Sequence, residues 1–125
     1  MRSMSRVFDM PFSSVYPLYL AKVERKGRTK DELDAAIRWL TGFDDATLAA
    51  HAEGTSTFRD FFDAATLNPN VSLVTGVVCG IRVENIEEPL MYRIRVLDKL
   101  VDELAKGRPL AKVLREPAPA TVAKG

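Results

Sequence analysis

The chain has little of what most catalytic and metal sites are built from. One cysteine, Cys79, and one histidine, His51, stand among its 125 residues. A lone cysteine excludes an intramolecular disulfide framework and suits a reducing cytoplasm. One histidine and one cysteine cannot supply the nitrogen and sulfur ligands of a structural zinc site. The formal net charge is only +1, so no global field draws nucleic acid or anionic lipid. No apolar run approaches the roughly 20 residues that span a bilayer. The start, MRSMSRVFDMPF, lacks the continuous apolar stretch of a secretory signal. A cytoplasmic location with no membrane contact is expected.

The phosphate-binding glycine loops are missing as well. Gly76 and Gly80 lack the G-x-G-x-x-G spacing, and there is no G-x-x-x-x-G-K. Ser72 and Thr75 sit in no nucleophile elbow. Glu84, Glu87 and Glu88 carry no EF-hand or Asp-x-Asp spacing. No cofactor and no metal are expected.

What remains is ordinary globular material, 46% hydrophobic and 28% charged. The length suits one domain that buries its own core. Residues 1–115 are expected to form it, after an irregular lead-in to Pro11. Residues 116–125 are Pro/Ala-rich with almost nothing to bury, and read as a disordered tail.

Helix signals punctuate the chain. Ser13 or Ser14 can cap a first helix with Pro17 in its first turn and Gly27 at its end. Tyr16, Leu20 and Val23 recur at helical spacing, with Tyr19 beside them. Thr29 and Glu32 form a capping box for a second helix with apolar Leu33, Ala36, Ile37 and Leu40, flanked by Trp39 and closed by Gly42. Asp44 or Asp45 can cap a third, through Ala52 to Gly54. Ser56 or Thr57 can cap a fourth, with Phe58, Phe61 and Phe62 on one face. Asn68-Pro69-Asn70 is a turn. Glu88 and Pro89 open the longest helix, to Lys106, with Leu90, Ile94, Leu97, Val101 and Leu104 stepping by four and three. Pro109 starts a last short helix, Leu110 to Arg115.

The segment from Val71 to Val83 is ambiguous. β-branched residues favour a strand, and Gly76 and Gly80 weaken a helix. No other segment alternates as a partner strand would, and a lone strand leaves its backbone unpaired. A short buried helix over Ser72–Cys79, stopped by Gly80, is therefore predicted, with a strand over Val71–Val78 as the alternative. The resulting fold class is all-α: a compact orthogonal bundle of roughly five to seven helices.

The glycines and the following helix resemble a helix-turn-helix in spacing, with Gly76, Gly80 and Ile86 at suitable offsets. The positions that would meet DNA are Arg82, Val83, Glu84, Asn85, Glu87 and Glu88. Three carboxylates there would be repelled by phosphate, and Pro89 would interrupt a reading helix. Lys22, Arg25, Lys26, Arg28 and Lys30 form the one basic cluster and are the candidate phosphate or nucleic-acid contacts. Cys79 in VVCG reads as a buried small hydrophobe. A Cys79–His51 dyad would require the two to meet in space.

PFSSVYPLYLAKVERKGRTK, IRWLTGF, LNPN, VTGVVCG and EEPLMYRIRVLDKLVDELAKG together resemble a bacterial family of small proteins, domain of unknown function 2200. The likeness covers about residues 8 to 115. It implies a compact, mainly helical bacterial protein and carries no functional residue over to this chain. The functional expectation is a non-enzymatic interaction module that self-associates as a homo-oligomer. A nucleic-acid binder using Lys22–Lys30 and an enzyme using Cys79 or His51 in a pocket are the alternatives.

Overall fold

The computed structural model describes residues 8–115. The predicted tail, 116–125, lies outside them. Among the described residues the α-helices are α1 (Phe12–Arg25), α2 (Lys30–Thr41), α3 (Asp45–Glu53), α4 (Phe58–Ala64), α5 (Pro89–Ala105) and α6 (Leu110–Val113). The fold is all-α, with one very small sheet. No helix among the described residues is long and apolar enough to cross a membrane.

The second helix forms as its capping box dictates. The Thr29 hydroxyl accepts from the Glu32 amide at 3.2 Å, and the Glu32 carboxylate accepts from the Thr29 amide at 3.1 Å. Gly42 ends the helix in the left-handed region at φ 75°. Asp44 caps α3 and Thr57 caps α4, the latter with a second capping box through Asp60. Pro89 occupies the first turn of α5, and the Glu88 carboxylate accepts from the Met91 amide.

The first helix departs from expectation. It begins at Phe12 with Pro11 as its cap, so Pro17 stands one turn inside rather than in the first turn. Long-range contacts set this start. The Phe12 amide donates to Ser56 O at 2.8 Å, and Met10 O accepts from the Phe58 amide at 3.0 Å. Phe8 is buried too. The lead-in is therefore stitched to the head of α4 from Phe8 onward.

The core lies around α5, which packs on α1, α2, α4 and α6. Leu97, Leu100 and Leu104 are fully buried, as are Phe12, Phe61 and Phe62. Phe12 and Phe61 stack with centroids 4.1 Å apart. Burying each such side chain contributes about 2–3 kcal/mol.

The predicted helix over Ser72–Cys79 does not form. Pro69–Leu73 makes a 3-10 turn. Two short strands follow, β1 (Val77–Val78) and β2 (Ile81–Arg82), paired antiparallel with Val78 opposite Ile81. Gly76, Cys79 and Gly80 all take positive φ, at 110°, 53° and 78°, which no right-handed helix accommodates. Positive φ at both Cys79 and Gly80 is the backbone of a two-residue hairpin turn. The missing partner strand is simply the next two residues. Each strand is too short to show alternation, so the pairing left no periodic signal. Val83 N donating to Gly76 O at 2.9 Å extends the ladder by one pair.

Candidate functional site

The hairpin lies along α5 and is held there from below. Val78 points into the core, whereas Val77, Ile81 and Arg82 are exposed. Lys99 Nζ donates to Val77 O at 3.2 Å. Arg95 Nη1 reaches Cys79 Sγ at 3.7 Å and Asp98 Oδ2 at 2.8 Å. Asp98 Oδ1 in turn accepts from the Tyr19 hydroxyl at 2.6 Å. Burial, reinforced by the Asp98 carboxylate, pushes the Tyr19 phenol well above its usual range, so it stays a donor. The predicted burial of Cys79 is overturned: its thiol is exposed at the hairpin tip.

Exposed apolar side chains flank the tip. Leu73 is 55% exposed, Val77 47% and Ile81 45%. Val77 and Arg82 share one face of the hairpin, and Val78 and Ile81 share the other, because opposed residues of a ladder lie on the same side. Glu84 braces the base of this unit by accepting from the Gly76 amide at 2.9 Å and from Arg82 Nε at 2.9 Å. Those bonds hold its carboxyl below the usual range. Glu84 and Glu88 thus have separate structural partners.

His51 has other neighbours than Cys79. Its Nδ1 lies 2.7 Å from Ser56 Oγ, and its ring stacks on Phe43 and meets Phe61 edge-on. Burial pulls its pKa below the ordinary value and keeps it neutral. The Ser56 contact closes the loop between α3 and α4.

The basic cluster is dispersed. Arg28 grips Glu32 through two nitrogens and donates to the carbonyls of Leu104 and Arg108. Lys30 pairs with Asp34 at 2.8 Å, and Lys22 with Asp102 at 3.5 Å. Arg25 and Lys26 are exposed. Lys22 and Lys26 share a shallow hollow with Lys106 around Asp102. Burial would raise the Asp102 carboxyl, but Lys106 and Lys22 hold it below its usual range.

Two constellations have no counterpart in the sequence reading. The first is a groove of about 520 Å³ between α1, α2 and α3. There the Tyr16 hydroxyl donates to Asp34, and burial together with that bond pushes the phenol up to about 12. Only the spacing of Lys30 and Asp34, four apart on a helix, signals it in the sequence. The second is Glu103, buried at 5% exposure and gripped by Arg115 through two bonds of 2.6 and 2.8 Å. Arg108 at 3.3 Å and Lys99 at 3.8 Å complete its cationic surround.

A family model described as "uncharacterized protein conserved in bacteria (DUF2200)" matches residues 6–115. The chain belongs to that family. The family match ends at Arg115, the residue that clasps Glu103 and whose carbonyl accepts from Asn70 Nδ2 at 2.8 Å. The crystal structure of an uncharacterized protein, SP1917, has the same fold with a TM-score of 0.83. It is 42% identical, and the likeness covers 87% of this chain and 90% of that one. No curated protein matches the chain.

Proposed function

We propose that this member of the DUF2200 family is a non-enzymatic interaction module that self-associates through its hairpin. One observation carries the reading: β2 exposes both of its side chains and, among the described residues, has a strand partner on one edge only. An open strand edge flanked by exposed apolar side chains is a template for pairing with another chain. Leu73, Val77 and Ile81 supply the apolar surface. A second copy offers the same edge, which satisfies the self-complementarity of a two-fold contact.

The polar chemistry supports a binding role. Cys79 faces Arg95, which cannot serve as a base. The Ser56–His51 pair closes the loop between α3 and α4, with the His51 ring packed on Phe43 and Phe61. Three of the five clustered cations are engaged in intramolecular pairs, which leaves little free charge for a phosphate track.

Sedimentation equilibrium tests the proposal. The native chain should show a concentration-dependent dimer. Val77→Lys with Ile81→Lys should keep the helical circular dichroism and weaken the dimer at least about tenfold, since two charges would be placed on desolvating positions. A native chain that stays monomeric to millimolar concentration would sink the reading.

A further inference from the structure

The groove between α1, α2 and α3 lies on a different part of the fold from the hairpin. Its volume is within the range of small-ligand sites. Leu48, Ala49 and Ala52 of α3 give it an apolar side, and the buried ring of Tyr16 gives another surface. Four carboxylates and two cations line it. Lys30 is drawn onto Asp34, and Arg38 onto Asp45 at 2.8 Å. These two pairs cancel, so Asp31 and Glu53 are the charges left over; neither has an ion-pair partner among the described residues.

Glu53 has a further peculiarity. It is the last residue of α3, where the helix dipole presents its negative end. An acid there is disfavoured and a cation is favoured. Asp31, in contrast, sits in the first turn of α2, where the positive end of the helix dipole favours a negative charge. The groove therefore combines an uncompensated negative pole with an apolar flank. A hydrated metal ion would use the pole and waste the flank. An anion would meet net negative charge.

We propose that this groove binds a linear aliphatic polyamine, with an ammonium group held between Asp31 and Glu53 and the methylene chain lying along Leu48, Ala49 and Ala52. The methylenes match the apolar flank, and a primary ammonium supplies three donors to carboxylate and helix-end carbonyl oxygens. Lys30 does not compete for this role, because Asp34 and the Tyr16 ring, 5.7 Å from its Nζ, already hold it.

Titration of the full chain with spermidine, followed by amide-resolved NMR, tests the proposal. Saturable shifts confined to the stretch around Asp31 and to Leu48–Glu53 are expected. Asp31→Asn with Glu53→Gln should weaken binding at least about tenfold, as loss of charge-assisted contacts does. Both residues are exposed, so the variant keeps its fold. Glu24→Gln, an exposed acid outside the groove, should bind as the native chain does. Magnesium at matched ionic strength should not reproduce the shifts. The proposal fails if spermidine shifts acidic sites over the whole surface, if the groove variant binds unchanged, if magnesium gives the same pattern, or if no binding is seen.

Discussion

Replacing Cys79 by asparagine should stabilise the protein. Cys79 is the only described non-glycine residue with positive φ, held at 53°. A side chain other than glycine in the left-handed region costs about 1–2 kcal/mol, and asparagine escapes much of that by bonding locally. Asn-Gly is also the preferred pair for a two-residue hairpin turn, and Gly80 already follows. Against this stands the Arg95–Sγ contact, which at 3.7 Å to an exposed thiol is weak. The net gain should be about 1 kcal/mol, or about 4 °C in Tm for a domain of this size. Cys79→Gly relieves the same strain but adds about 0.5–1 kcal/mol of unfolded-state freedom, so it should lie near the native chain. Cys79→Val should be the least stable, because a β-branched residue tolerates positive φ poorly. Urea unfolding under reducing conditions, with constant m-values, gives the ranking. A helical Ser72–Cys79 would erase it, since asparagine, cysteine and valine have similar helix propensities and glycine is the poorest of the four. An asparagine variant less stable than the native chain would therefore refute the hairpin argument.

Removing Glu103 should be costly. Its carboxylate is buried among Arg115, Arg108 and Lys99, and removing it leaves the mostly covered Arg115 and Lys99 without their counter-charge. Glu103→Ala should lose about 3 kcal/mol in urea unfolding, and a loss below about 1 kcal/mol would show that the clasp contributes little. Acid should act through Glu32. The Arg28 guanidinium, aided by the Thr29 amide, lowers its pKa from 4.5 to about 2. Its folded pKa is depressed, so its stabilisation is present above pH 4.5 and fades as pH falls towards 2. The stability gap between the native chain and Glu32→Gln should narrow across that window. A gap independent of pH would contradict the assignment.

Much of the fold was legible because its signals are local. Thr29–Glu32 and Glu88 satisfy backbone groups within one helical turn, so side-chain identity locates the starts of α2 and α5 and narrows that of α4 to Ser56 or Thr57. The apolar stripe of α5 reads directly as its buried face. The candidate surfaces were barely legible. The basic cluster is contiguous in sequence, yet the fold sends Arg28 to the end of α5 and Lys30 to Asp34. Tyr19 and Asp98 are far apart along the chain and meet only because α1 packs on α5.

The sequence by itself determined most of the helices, the capping box of α2 and the hydrophobic faces that made a compact all-α domain of this family expected. Those features depend on interactions within a few residues and on periodicity. The tertiary structure decided the rest. It placed Pro17 inside α1 because Ser56 anchors Phe12, and it turned VVCG into a hairpin whose tip exposes Cys79 against Arg95. It also gathered Asp31, Glu53 and Leu48 into one groove. Positive-φ turns and charge balance across helices depend on which distant segments come together, and no local pattern of residue types records that.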